Sequence, residues 1–166
     1  MSGAIEVRRL GPGDVAAMRA LNGLFGAVFG EPETYGGAPP DDAWLGGLLA
    51  KDHVIALTAE VAGEAAGELA GGLVAYELDK LEQARREIYI YDLAVAEPWR
   101  RRGVATALIG QVQAIAAARG AWVVYVQADY ADAPAVALYD RLGAREEVLH
   151  FDLPPRPAAD AGGRSR

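Results

Sequence analysis

Apolar residues at Val15, Met18, Leu21, Leu24, Phe25, Val28 and Phe29 recur at intervals of three and four, which predicts an amphipathic helix from Val15 to Phe29. Before it, Ile5 to Leu10 alternates weakly as a first strand, and Gly11-Pro12-Gly13-Asp14 reads as a turn that ends in an N-cap at Asp14. Glu31 to Pro40, rich in Pro, Gly and acid, reads as a loop and a candidate substrate rim; Asp41-Asp42 then opens a short helix through Leu49. His53 to Val61 and Leu69 to Leu81 are apolar, β-branched and aromatic runs on either side of the turn-like Ala62-Gly63-Glu64, the pattern of an antiparallel hairpin. Gly71-Gly72 inside the second run suggests a bulge.

The strongest strand pattern is Glu87-Ile88-Tyr89-Ile90-Tyr91-Asp92-Leu93-Ala94-Val95. A basic loop, Glu97 to Gly103, follows it and feeds a helix from about Val104 to Arg119 that stops at Gly120. Trp122 to Ala128 reads as a buried strand, Ala133 to Leu142 as a short helix and Glu146 to Leu153 as a final strand. Strands paired first as a hairpin and later alternating with helices predict an α/β (α+β) fold, one mixed central sheet of about six to seven strands with helices on both faces. The expected organisation is a single domain over residues 1–153 and a disordered Pro, Gly, Ala and Arg tail over residues 154–166.

Composition narrows the chemistry. The chain contains no cysteine, which excludes disulfides, thiolate metal sites and a cysteine nucleophile. Two histidines, far apart in sequence, do not suggest a metal site, and none is assigned. A formal charge of −7 disfavours nucleic acid and favours cationic partners through long-range steering. Apolar runs are interrupted well before they could span a bilayer, so no membrane association is expected. Met1 to Arg9 lacks the pattern of a secretory signal, which leaves a cytoplasmic location as the expectation.

Arg100-Arg101-Arg102-Gly103-Val104-Ala105 lies between a strand and a helix. The first N–H groups of a helix have no partner inside it, so they form an anion cradle there, and the arginines add charge. Gly103 and the small Ala105 let a phosphate approach the backbone. A solvated basic loop that merely caps the helix is the plainer alternative.

Arg100-x-x-Gly103-x-Ala105 after Leu93-Ala94-Val95 resembles the acetyl-CoA loop of the GNAT superfamily of N-acetyltransferases. Asp132-x-x-Ala135-x-x-Leu138-Tyr139-x-x-x-Gly143 resembles that family's later motif, with Asp132 where Asn is usual. From Arg9 to Asp152 the chain is similar to the type I group of aminoglycoside 3-N-acetyltransferases, above all in Glu87 to Val95 and in Tyr125-Val126-Gln127-Ala128-Asp129-Tyr130. Pro134 to Tyr139 and Arg145 to Asp152 add to this likeness.

The resemblance implies transfer of acetyl from acetyl-CoA to the 3-amino group of a 2-deoxystreptamine antibiotic of the gentamicin, sisomicin or fortimicin type, with antibiotic resistance as the result. It implies a polycationic small-molecule partner and a homodimer. The coenzyme would be held by Leu93, Ala94, Val95, Arg100, Arg101, Arg102, Gly103, Val104, Ala105, Thr106, Asp132, Ala135 and Tyr139.

With no cysteine, direct attack by the neutral amine in a ternary complex is the expected route. The substrate ammonium must lose a proton to a carboxylate in reach. Asp129, just past a strand end, is the first candidate, with capping of the next turn as its alternative role. Asp92 and Glu87 come second, because strand alternation places them on opposite faces; Asp92 is equally a candidate structural acid. A splayed or bulged strand near Leu93 to Val95, implied by the resemblance, would free a backbone donor for the oxyanion.

Tyr139 is placed to protonate the departing thiolate, against the alternative of a core tyrosine. Glu33, Asp129 and other carboxylates could hold ammonium groups, and Tyr35 and Tyr130 could pack on sugar rings or else cover core edges. Two other readings stay open: an acetyltransferase for polyamines or protein amines, and a catalytically silent acetyl-CoA-binding module.

Overall fold

The computed structural model describes residues 4–61 and 68–156. The turn expected at Ala62-Gly63-Glu64 and the tail beyond residue 156 lie outside the described residues. The described residues fall into two compact units, one up to Gln127 and one from Ala128.

The first unit follows the predicted order. Its elements are β1 (Ile5–Arg9), α1 (Val15–Phe29), α2 (Pro32–Gly36), α3 (Asp42–Leu49), β2 (Val54–Val61), β3 (Leu69–Asp79), β4 (Arg86–Val95), a 3-10 turn (Glu97–Trp99), α4 (Val104–Ala118) and β5 (Ala121–Val126). The strands form one mixed sheet in sequence order: β1 to β4 pair antiparallel, and β5 joins β4 in parallel through the α4 crossover. The second unit contains α5 (Ala133–Leu142).

Helices cover both faces, as the α/β pattern requires. The predicted stripe of α1 (Met18, Leu21, Phe25) packs with Leu45 and Leu49 of α3 on Ala56, Val74 and Ala94 of the sheet. The opposite face takes α4, whose Val104, Leu108 and Val112 are buried. Two adjacent glycines let the helices approach. A Cβ on Gly71 would stand 2.8 Å from Val104 of α4, and one on Gly72 would stand 2.2 Å from Leu21 of α1. Neighbouring residues of a strand point to opposite faces, so this pair admits one helix on each. The bulge expected at these glycines instead leaves Ala70 as the extra residue, since Ala59 pairs with Gly71 and Glu60 with Leu69.

Three expectations need correction. Among the described residues the sheet has five strands, where about six to seven were expected. The segment Glu146–Leu153 forms no strand: Val148, Leu149, Phe151 and Leu153 are all exposed, and a strand exists only where a neighbour completes its hydrogen bonds. Within the Glu31–Pro40 loop, Pro32–Gly36 closes a single helical turn with Pro at its start.

The helix expected to open at Asp41-Asp42 is present, and Asp41 caps it, accepting from the Trp44 N–H at 2.8 Å. Asp14 stands at the N-cap of α1, but its carboxylate accepts from the Gly11 N–H at 2.7 Å and pairs with Arg8. Buried Glu77 is held by Arg119 and Arg86, so its charge is compensated. Among the described residues no helix is long and apolar enough to cross a membrane.

Candidate functional site

The basic loop and the end of β4 form the first part of the site. Arg101 adopts φ 63° and Gly103 φ 86°, both left-handed, so the chain turns sharply into α4. Gly103 is the N-cap, and no side chain caps the helix. The first intrahelical bond there is from the Ala107 N–H to the Gly103 carbonyl at 2.9 Å. The N–H groups of Val104, Ala105 and Thr106 therefore have no acceptor inside the helix, and at the positive end of its dipole they suit an anion.

Val104 is buried and anchors the turn to the core. Arg102 stacks over the Trp99 ring at 4.8 Å, and Trp99 donates to Glu68. Arg100 reaches the Val95 carbonyl at 3.4 Å. All three arginine side chains border solvent, which leaves their charge available to a ligand.

At β4 the parallel ladder to β5 runs from Arg86 to Ile90 and stops, because β5 ends at Val126. Asp92, Leu93, Ala94 and Val95 keep their β3 neighbours, and from Tyr91 onward the strand has no ladder on the β5 side. The ladder to β5 thus ends before Leu93 to Val95, the stretch where a splayed or bulged strand is expected. A bulge is also present, placed earlier than expected, at Tyr91: Val74 pairs with Asp92 and Ala75 with Ile90, so Tyr91 is the extra residue.

The bulge overturns the alternation argument for Glu87 and Asp92. Glu87 pairs with Leu78, Tyr89 with Tyr76 and Asp92 with Val74, and those β3 residues alternate onto a single face. Glu87 and Asp92 therefore share the face that α1 covers. Their surroundings differ: Glu87 sits between Lys80 at 3.5 Å and Arg85 at 3.7 Å, which neutralise it. Asp92 is half-buried and accepts from the Tyr35 hydroxyl at 2.7 Å. Burial raises the Asp92 carboxyl above its ordinary value, opposed by that hydrogen bond. Tyr35 is raised in turn, by burial first and then by Asp92.

Glu33 is exposed in α2 and Tyr35 is partly buried there, against Phe25 and Phe29. A surface depression lies at the other end of β4, lined by Lys80, Arg85, Arg86 and Arg119 together with Asp79, which pairs with Arg86. Its positive lining makes it no seat for a cationic substrate.

In the second unit, Asp129 is exposed on the loop before α5, and its carbonyl accepts from the Asp132 N–H at 3.0 Å. The capping role falls to Asp132, whose Oδ1 accepts from the Ala135 N–H at 3.2 Å, leaving the Asp129 side chain outside the cap. Tyr130 is exposed, and Ala135 is partly so. Tyr139 is partly buried on α5; burial, then the Asp132 charge, push its phenol up to about 12. It stays protonated at neutral pH and can donate a hydrogen bond.

Sequence reasoning missed Tyr76 and Tyr89, which line up with Tyr125 across three strands. Their β pattern signalled strands, and only the register shows that they meet.

Residues 23–144 match the sequence profile of the acetyltransferase (GNAT) family. A solved aminoglycoside acetyltransferase from an uncultured soil metagenomic sample is 53% identical; the match covers 92% of this chain and 99% of that one, with a TM-score of 0.87. A second aminoglycoside acetyltransferase from such a sample, in complex with sisomicin, is 30% identical over 92% of this chain and 97% of its own, with a TM-score of 0.81. The ribosomal-protein-alanine N-acetyltransferase of Brucella melitensis biovar Abortus 2308 shares the fold at 21% identity, over 92% of this chain and all (100%) of its own, with a TM-score of 0.70. No curated protein sequence matches the chain.

Proposed function

Because the chain belongs to the acetyltransferase (GNAT) family, we propose that it transfers acetyl from acetyl-CoA to an aminoglycoside, at the 3-amino group of the 2-deoxystreptamine ring. The observation that carries the reading is the uncapped start of α4, entered through left-handed Gly103 directly after a strand whose β5-side edge is free from Tyr91 onward. When bound, acetyl-CoA supplies a thioester whose carbonyl is open to an amine.

The residues present fit that group. The Val104, Ala105 and Thr106 N–H groups hold the diphosphate, and Arg100, Arg101 and Arg102 balance its charge. The free edge of β4 at Leu93 to Val95 offers backbone donors to the carbonyl oxygen, the stabilisation that acyl transfer needs most. Asp132 and Ala135 line the coenzyme arm, and Tyr139 donates its hydroxyl toward the departing sulfur.

The acceptor must arrive as a free amine. Asp129 takes the ammonium proton, directly or through one water, with its carboxylate free of the α5 cap. Asp92 is the second candidate, since burial makes its carboxylate a stronger proton acceptor than an exposed one. Glu33, Tyr35, Glu87 and Tyr130 hold the rest of the substrate; Glu87 does so only by giving up Lys80 and Arg85. Acetylation removes one positive charge from the antibiotic, which confers resistance on the host.

The substrate class is supported by two relatives, 53% and 30% identical, that are both aminoglycoside acetyltransferases. The test is a steady-state assay with acetyl-CoA and, in turn, sisomicin, spermidine and a peptide amine. Preferred turnover of sisomicin, with NMR placing the acetyl on the 3-nitrogen, is the expected result. Acetate on another nitrogen refutes the regiochemistry, preference for spermidine or peptide refutes the substrate class, and no turnover with any amine makes the chain a coenzyme-binding module. Asp129→Asn should lower kcat by about a hundredfold or more while leaving acetyl-CoA affinity intact.

A further inference from the structure

Beyond α1 and α3 the same sheet face that buries Val74 carries a row of tyrosines. Tyr76, Tyr89 and Tyr125 stand directly opposite one another on β3, β4 and β5. The bulge adds Tyr91 to the row: its ring meets Tyr76 edge-on at 6.0 Å and Tyr89 edge-on at 5.7 Å. Tyr89 stacks on Tyr125 at 4.8 Å and 8°, and its hydroxyl donates to Gln127 at 2.8 Å.

The cover that α1 and α3 give this face ends at the row. Val74 is 7% exposed, whereas Tyr76 is 37%, Tyr125 36% and Tyr91 63% exposed. Four packed phenols at a sheet surface form a rigid aromatic floor, and their mutual contacts hold each ring in place. Asp92 lies beside the floor, and its charge reaches both Tyr76 and Tyr89. Glu31 adds a second negative charge near Tyr35.

We propose that Tyr76, Tyr89, Tyr91 and Tyr125, with Asp92 at their edge, form the seat on which an amino-sugar ring of the substrate lies. Sugar C–H faces pack on phenol rings, and an ammonium group over a ring is drawn to its π face. A carboxylate at the rim strengthens the hold on that ammonium. The occupant is a polycationic amino sugar rather than an apolar peptide, because the surface combines flat polar-tipped rings with negative charge. This inference rests on the aminoglycoside reading above and supplies the residues that set affinity for its acceptor.

The experiment measures KM for sisomicin and for acetyl-CoA, together with calorimetric binding of sisomicin. It compares the unmodified protein with Tyr91→Leu, Tyr125→Leu and Tyr91→Phe. Each leucine variant keeps apolar bulk and loses the ring, so KM and Kd for sisomicin should rise on the order of tenfold. Tyr91→Phe restores the ring and should stay within about twofold of the unmodified protein, because the interaction uses the face and not the hydroxyl. KM for acetyl-CoA should not move in any of them.

Unchanged sisomicin KM and Kd in both leucine variants overturn the seat while leaving the activity standing. An unmodified protein that neither binds nor acetylates sisomicin overturns the activity, and the seat with it. Should Tyr125→Leu disturb the sheet, as circular dichroism would show, the largely exposed Tyr91 decides the matter alone.

Discussion

The Tyr35 hydroxyl donates to Asp92 Oδ1 at 2.7 Å, joining the short helix α2 to the part of β4 that lies past the β5 ladder. This bond crosses the sheet face that α1 covers and fixes a half-buried carboxylate whose proton is held more tightly than in the unfolded chain. Burial is the larger effect, and the Tyr35 bond, which favours the charged form, opposes it.

A pH dependence of stability follows. The Asp92 carboxyl is raised above its ordinary value of 3.8, so its contribution is fully present below that value. It is lost as the pH rises through the native value, because folding then buries a charge. Asp92→Asn keeps an oxygen acceptor for Tyr35 and carries no charge. Thermal unfolding should show this variant melting above the parent at neutral pH, with the margin vanishing as the pH falls toward 3.8. Identical melting temperatures across that range would contradict the account. Turnover should drop about tenfold or more if the carboxylate itself serves the acceptor amine.

The glycine pair makes a packing prediction. At Gly72 a methyl group would lie 2.2 Å from Leu21 Cδ1 and 2.9 Å from the Leu57 carbonyl oxygen. Leu21 is fully buried and the carbonyl belongs to a paired strand, so neither has room to yield. Gly72→Ala should cost about 2–3 kcal/mol in denaturant unfolding, the upper range for overpacking a filled core. Gly47→Ala, on α3 with open space around its Cβ, is the control and should be neutral or slightly stabilising.

These positions also mark how far the sequence could be read. The period of α1, the strand pattern of β4 and the Arg100–Gly103 loop announced themselves because each is a local signal. The role of Gly71-Gly72 did not, since a glycine that admits a packed helix looks the same in sequence as one that makes a bulge. Alternation put Glu87 and Asp92 on opposite faces, and one extra residue at Tyr91, visible only from β3, put them on the same one. The apolar alternation of Glu146–Leu153 satisfies half of what a strand needs; the other half is an edge to pair with, which no single segment encodes. Five residues of helix at Pro32–Gly36 are too short for periodicity to register.

The loop before α4 predicts an effect on coenzyme affinity. Gly103 holds φ 86°, a conformation that costs a residue with a side chain roughly 1–2 kcal/mol, although space around it is open. Gly103→Ala should therefore misplace the first N–H groups of α4 and raise KM for acetyl-CoA roughly tenfold, the equivalent of about 1.4 kcal/mol. KM for the aminoglycoside should stay nearly constant. If the acetyl-CoA constant is unaffected, the phosphates lie elsewhere.

Tyr139 offers the most direct test of the chemistry. Burial and the Asp132 charge lift its phenol to about 12, so the hydroxyl keeps its proton through the working pH range and has it to donate. A pH–rate profile of the parent should accordingly lack a downward limb from this group below pH 10. Removing the hydroxyl in Tyr139→Phe preserves the ring that packs on α5 and deletes the donor. If that donor serves the departing thiolate, kcat should fall about a hundredfold with KM for acetyl-CoA little changed. A kcat within twofold of the parent, in a variant that melts normally, would instead make Tyr139 a packing residue, and protonation of the sulfur would then have to come from water.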